Sequence, residues 1–237
     1  MNWHGVCGHD GVVERFRRAL ARGRLASSFL FVGPEGIGKR TLALNLAQGL
    51  LCERRPEEAM DPCGACPGCL QVAAGSHPDV ALVSKPKDKS FLPLELLIGD
   101  KEHRMRKGLC RSIALKRLMG RRKIGIIDDA DFLNVEGANC LLKTLEEPPP
   151  RSVLILITTS AARQLPTIRS RGQAIRFRPL SAGLVAELLG REGRVDAPEE
   201  ARRLAGYSQG SLRQALDLAD PDLWSFRTRL FDHLAQP

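Results

Sequence analysis

The chain has 237 residues, with 36 Lys and Arg against 27 Asp and Glu and a formal net charge of +9. That length allows one sizeable core or two smaller ones. No apolar run reaches the roughly 18–20 residues of a membrane span, and the N-terminal Met-Asn-Trp-His-Gly lacks the basic and apolar regions of a secretory leader. The charge suits a polyanionic partner such as nucleic acid, while an aromatic content of 5% argues against a base-stacking platform for single strands.

Residues 12–21 have helical spacing, with Val13, Phe16 and Leu20 on one face and Arg15, Arg17, Arg18 and Arg22 around it. The apolar run 28–32 reads as a buried strand, and 42–51 as a helix. Between them lies Gly33-Pro-Glu-Gly36-Ile-Gly38-Lys39-Arg40-Thr41. A glycine-rich turn from strand to helix lets backbone N–H groups cradle phosphates, and Lys39 reaches the outer ones. The pattern next requires Ser or Thr, whose hydroxyl binds Mg²⁺. Arg40 stands there instead, and a guanidinium is donor-only. Thr41 comes one residue late, about 100° further round the helix, and is a poor substitute. The loop therefore predicts nucleotide-binding ancestry with impaired hydrolysis.

A cysteine module follows. Cys63-Gly-Ala-Cys66-Pro-Gly-Cys69 has C-x₂-C-x₂-C spacing, and Cys52 lies a short loop upstream. Four thiolates can close a tetrahedral structural Zn²⁺ site. The other reading, buried free thiols, suits a segment rich in Gly and Pro poorly. Cys7, Cys110 and Cys140 have no such neighbours and read as small apolar residues.

Further along, 79–83 is a candidate strand and 85–89 a charged loop. Residues 91–98 are apolar but interrupted by Pro93, which fits an edge strand. Residues 103–118 read as a basic helix, whose charges suit a solvated face as well as a ligand. The strand 123–127 ends in Asp128 and Asp129. Acids at the carboxyl end of a buried strand lie where open α/β sheets place ligands. In phosphate-loop nucleoside triphosphatases an acid here holds Mg²⁺ through water, and a following acid, commonly Glu, positions the attacking water; Asp129 is one methylene shorter than that Glu. A helix-capping pair is the alternative. A helix over 138–147 stops at Pro148-Pro-Pro150, and 152–157 and 174–177 complete the apolar runs. Such runs alternating with helices predict a parallel sheet covered on both faces. From 179 onward the strands disappear, and helical segments follow at 184–189, 198–205, 211–218 and 223–234.

The stretches 127–134, 138–149 and 165–172 carry a family resemblance. With Leu141-Leu-Lys-Thr-Leu-Glu-Glu-Pro-Pro149 at their centre, they resemble bacterial DNA polymerase III clamp-loader subunits, which are AAA+ proteins. The likeness covers most of residues 1–220 and includes a zinc module at about 52–69. It implies a phosphate-loop α/β domain over 1–178 and a small all-α lid over 179–237, while the helical C-terminal collar domain that complete family members carry is expected to be absent, since the sequence stops at Pro237. It implies ATP or ADP at Gly33, Gly36, Gly38, Lys39, Arg40 and Thr41. Thr158 (or Thr159) falls at the first-sensor position and Arg213 in the second-sensor segment. Ser170-Arg171-Gly172 resembles the family's Ser-Arg-Cys motif, whose arginine acts as a finger on ATP held by a neighbouring subunit. A surface arginine is the alternative.

Gamma/tau members hydrolyse ATP, whereas delta-prime members often have degenerate loops. Arg40 and Asp129 both depart from the hydrolytic pattern, so the resemblance points to delta-prime with little ATPase activity of its own. It implies a cytoplasmic protein working with gamma/tau and delta subunits, the sliding clamp and primed DNA, and with no membrane. A gamma/tau-like ATPase and a stand-alone AAA+ regulatory ATPase are the alternatives.

Overall fold

A computed structural model describes residues 2–195 and 197–234. The chain opens with a short antiparallel pair, β1 (Asn2–Trp3) and β2 (Val6–Cys7). Helix α1 (Asp10–Ala21) buries Val12, Val13, Phe16 and Leu20, the stripe its spacing predicts. Then come β3 (Ser28–Val32), α2 (Lys39–Leu51), α3 (Pro67–Ala73), β4 (Val80–Val83), α4 (Leu94–Ile98) and α5 (Gly108–Ala114). They are followed by β5 (Lys123–Ile127), α6 (Val135–Glu146), β6 (Ser152–Thr158), α7 (Pro166–Arg169) and β7 (Gln173–Arg176). Four helices complete the described chain: α8 (Ala182–Arg191), α9 (Pro198–Tyr207), α10 (Leu212–Leu218) and α11 (Pro221–Leu234).

Five strands form one sheet in the order β4-β5-β6-β3-β7, and every pair is parallel. β5 and β6 are buried along their whole length, as continuous apolar runs require. The register sets Val32 beside Thr158 and Ile127 beside Leu156. The carboxyl ends of β3 and β5 therefore flank that of β6, at the end of the sheet where such folds place their ligands.

The chain divides into two compact units. The first holds residues up to Gly33 and Gly38–Phe177; the second holds Pro34–Ile37 and the chain from Arg178 onward. In the second unit α8, α9 and α10 pack together over Val185, Leu189, Leu204, Ala205 and Ala215. Among the described residues, no helix is long and apolar enough to cross a membrane.

Two segments fold differently from their sequence reading. Residues 91–98 are not an edge strand: Pro93 precedes the short helix α4, and Leu92, Leu97 and Ile98 are buried without the alternation a strand needs. Residues 103–118 are not one basic helix. Only α5 is helical there, because Gly108 has φ +85° and its Cα lies against the backbone of Leu97, Ile98 and Gly99. A Cβ at Gly108 would meet those atoms at 2.6–2.7 Å, so the position needs glycine and the helix starts after the turn.

Candidate functional site

The phosphate loop sits where the sequence places it, between β3 and α2. Its entry is fixed by Gly33 N–H donating to the Thr158 carbonyl at 3.3 Å. Gly38 caps α2 with φ 95°, and no side chain caps that helix. Lys39 is buried, and its Nζ donates to the Gly33 carbonyl at 2.5 Å across the base of the loop. Thr41 is exposed.

The crest of the loop belongs to the second unit. There Leu212 N–H donates to the Gly36 carbonyl at 3.1 Å, and Arg213 Nη1 pairs with Glu35 Oε1 at 3.0 Å. Gly36 has φ +72°, and a Cβ on it would stand 2.5 Å from Arg213 Cβ and Ser211 Oγ. Only glycine fits this approach. A cavity of about 510 Å³ opens beside it, lined among others by Pro34, Glu35, Pro179, Ser208 and Arg213. Arg213 thus meets the loop's own carboxylate.

Arg40 and Asp128, 88 residues apart, form an ion pair: Arg40 Nη1 lies 3.0 Å from Asp128 Oδ2. The Asp128 side chain is only 15% exposed and that of Arg40 51%. Burial pushes the Asp128 carboxyl up and the neighbouring Asp129 adds to this, while Arg40 opposes it; the net shift is upward. Asp129 turns elsewhere. Its backbone is left-handed at φ 59°, and its Oδ2 accepts the Lys85 N–H at 3.3 Å. Mg²⁺ does not fit these residues. The hydroxyl position is a guanidinium with no lone pair, and the carboxylate that would face the ion already faces that guanidinium.

Thr158 is buried at the end of β6. Its hydroxyl contacts Asp131 and donates to the Ser160 carbonyl at 2.9 Å, and Gln164 Nε2 donates to it at 3.3 Å. Asp131 also accepts the Thr159 N–H at 2.7 Å. Asp131 and Gln164 were not legible as site residues; the one signal was a third acid close behind Asp128 and Asp129.

The four cysteines converge. Their Sγ atoms all lie within 4.8 Å of one another, with Cys63–Cys69 and Cys66–Cys52 each at 4.0 Å. Ligands about 2.3 Å from a tetrahedral Zn²⁺ stand about 3.8 Å apart, so the donor set fits that ion. Local folding explains the convergence. Cys52 ends α2, and Cys66 caps α3, where its Sγ accepts the Cys69 N–H at 3.4 Å and the Glu53 N–H at 3.5 Å. Burial works to raise the Cys66 thiol, but those N–H groups outweigh it and bring it down to about 6. Four thiolates around one ion would leave no open coordination position, the arrangement of a structural rather than a catalytic site. Metal analysis of reduced, chelator-free protein should find one zinc per chain; a substoichiometric value counts against the site. Cys63→Ser should lower thermal stability without touching any chemical step. Cys7 and Cys110 are buried and Cys140 is half-buried, apart from this cluster.

Arg171 follows α7. Its Nη2 pairs with Glu146 Oε1 at 2.7 Å, and its Nη1 donates to the Thr167 carbonyl at 2.9 Å. The turn beneath it is closed by Gly172 N–H donating to the Ile168 carbonyl at 3.1 Å. A Cβ at Gly172 would meet nothing nearer than 3.6 Å, so glycine is not required there.

The first unit also holds a buried ion pair that the sequence reading missed. Lys123 Nζ lies 2.9 Å from Asp79 Oδ1, and neither side chain is more than 4% exposed. The same carboxylate accepts the N–H groups of Leu118, Met119 and Gly120 at 2.6–2.8 Å.

A model of the family described as DNA polymerase III, delta subunit, matches residues 8–181. The DNA polymerase III subunit delta' of Pseudomonas aeruginosa is 37% identical over 150 residues, covering 63% of this chain and 42% of that protein. Subunit delta' of Bacillus subtilis is 31% identical over 211 residues, covering 89% and 59%. Subunit tau of Escherichia coli is 29% identical over 219 residues, covering 91% and 32%. The chain thus spans 42% and 59% of the length of these two delta' relatives. Among solved structures, the Thermotoga maritima RuvB Holliday junction branch migration motor superposes with a TM-score of 0.53 at 18% identity, covering 90% of this chain and 60% of that one. A DNA polymerase III gamma subunit-related protein of Thermotoga maritima gives 0.50 at 20% identity, covering 81% and 57%. These two likenesses establish the AAA+ fold alone.

Proposed function

We propose that this chain, which belongs to the DNA polymerase III, delta subunit family, works as the delta-prime subunit of a clamp loader. In that role it joins gamma/tau and delta subunits in a ring that places the sliding clamp on primed DNA in the cytoplasm. Residues 1–178 act as the AAA+ domain and 179–237 as its lid. The zinc module is a structural staple.

The observation that carries this reading is the Arg40–Asp128 ion pair. Phosphoryl transfer needs metal ions to bridge and neutralise the terminal phosphates. Here the two positions that would hold the ion are paired with each other. A subunit with such a site contributes to its neighbour's chemistry, through Arg171, rather than to its own. The +9 charge suits a partner built of nucleic acid. The tau relatives cover as much of the chain as the delta' relatives do, which keeps a gamma/tau-like ATPase as the second reading.

Turnover separates the two. The isolated chain should show negligible ATPase activity, yet restore clamp loading when combined with gamma/tau and delta. A rate of roughly 1 s⁻¹ or above, typical of active enzymes and abolished by Lys39→Ala, would favour the ATPase reading.

A further inference from the structure

We propose that the phosphate loop takes a nucleoside di- or triphosphate without magnesium, with the Arg40 guanidinium standing in for the metal ion; this rests on the reading of the loop as a degenerate nucleotide site. A metal-binding site of this kind takes a hydroxyl from the first helical turn after the loop and a carboxylate from the end of another strand of the sheet. Both positions exist here, but one is a cation and the other is its counter-ion, 3.0 Å away. A divalent ion approaching Asp128 would have to displace a guanidinium fixed to the same loop, or sit beside its positive charge. Asp129 turns its Oδ2 to the Lys85 N–H, 3.3 Å away.

Charge at the mouth of α2 argues in the same direction. The N-terminus of a helix is its positive end, where cations are disfavoured and anions favoured. The first turn of α2 nevertheless carries Lys39 and Arg40 and no acid. Asp128 orients the second of them, so a cation stands where a metal ion would. The arrangement suits a polyanion with no metal attached. Arg40 is half exposed and uses Nη1 on Asp128. Its planar fork has five N–H groups in all, so it can hold Asp128 and a phosphate oxygen together. Asp128 becomes the group that orients the guanidinium, as it would otherwise orient the ion.

The test is ADP binding to the full chain by titration calorimetry, once with excess Mg²⁺ and once in magnesium-free buffer without chelator. The wild-type dissociation constants should agree within about twofold, a difference of well under 1 kcal/mol. Arg40→Thr restores the hydroxyl, and its affinity should become about tenfold or more tighter with Mg²⁺ than without it. Circular dichroism checks that the variant is folded, and the wild-type comparison stands without it. Wild-type affinity that falls tenfold or more without Mg²⁺ overturns the inference. So does a wild-type chain that binds ADP under neither condition. That second result leaves the clamp-loader reading to its own assay, because loading by a reconstituted ring needs no nucleotide on this subunit. Failed reconstitution with ADP binding intact would sink the clamp-loader reading alone.

Discussion

Asp79→Ala should destabilise the chain by about 3–5 kcal/mol, the cost of leaving a buried charge without its partner. The substitution strands Lys123, whose side chain is 4% exposed, and also the N–H groups of Leu118, Met119 and Gly120. Unsatisfied buried donors add to the cost of the lost ion pair. Lys123→Met should cost less, because Asp79 keeps three hydrogen bonds and the methionine stem fills the same space. Urea unfolding followed by circular dichroism measures both. A loss below about 1 kcal/mol for Asp79→Ala would mean that water or a rearranged loop replaces the carboxylate.

The same residue gives a pH signature. Burial works to raise the Asp79 carboxyl, but the N–H groups of Gly120, Leu118 and Met119, with Lys123, outweigh it and hold it down to about 2. A folded pKa below the unfolded value of about 3.9 makes the ionised group stabilising. Its contribution is full above that unfolded value and is lost as pH falls through about 2. In Asp79→Asn this part of the acid dependence should disappear, so the variant and wild-type stability curves converge below pH 4.

Asp79 and Lys123 also show where sequence reading stops. Each reads as the polar first residue of an apolar strand, and nothing in the sequence says that the two face each other 44 positions apart. A lysine opening a fully buried strand was the available clue. The strands themselves were plain, since 28–32, 123–127 and 152–157 are continuous apolar runs and parallel central strands are buried on both faces. The cysteine cluster was equally plain, because short C-x₂-C spacings bring their thiols together through local turns. Residues 91–118 were opaque for the opposite reason. Their structure depends on tight backbone contacts of Gly99 and Gly108, and their basic side chains carry no helical stripe. Arg40 and Asp128 were each singled out, but their pairing spans the β3–β5 separation and only the fold supplies it.

Arg171→Ala in a reconstituted ring should lower hydrolysis at one site by about 10³ or more, the effect of removing an arginine finger. In the proposed role the target is ATP on an adjacent gamma/tau subunit, so the rate of the whole assembly should fall only in part. In the isolated chain Arg171 is held by Glu146 at 2.7 Å. That pair lies at the surface, where such contacts are worth about 0–1 kcal/mol, so a phosphate can replace the carboxylate at small cost. Glu146→Gln should therefore leave hydrolysis intact or slightly raised. Arg171→Lys should not rescue, because a single ammonium lacks the planar fork that grips developing charge on two oxygens. Arg169, also exposed and two residues away, is the control. Its replacement by alanine should leave the neighbour's site at wild-type rate. Equal, unimpaired hydrolysis in Arg171→Ala and Arg169→Ala would remove the finger and leave this chain a structural member of the ring. A loss confined to Arg171→Ala, with the ring still assembled, would locate the subunit's chemistry at the interface it presents to its neighbour.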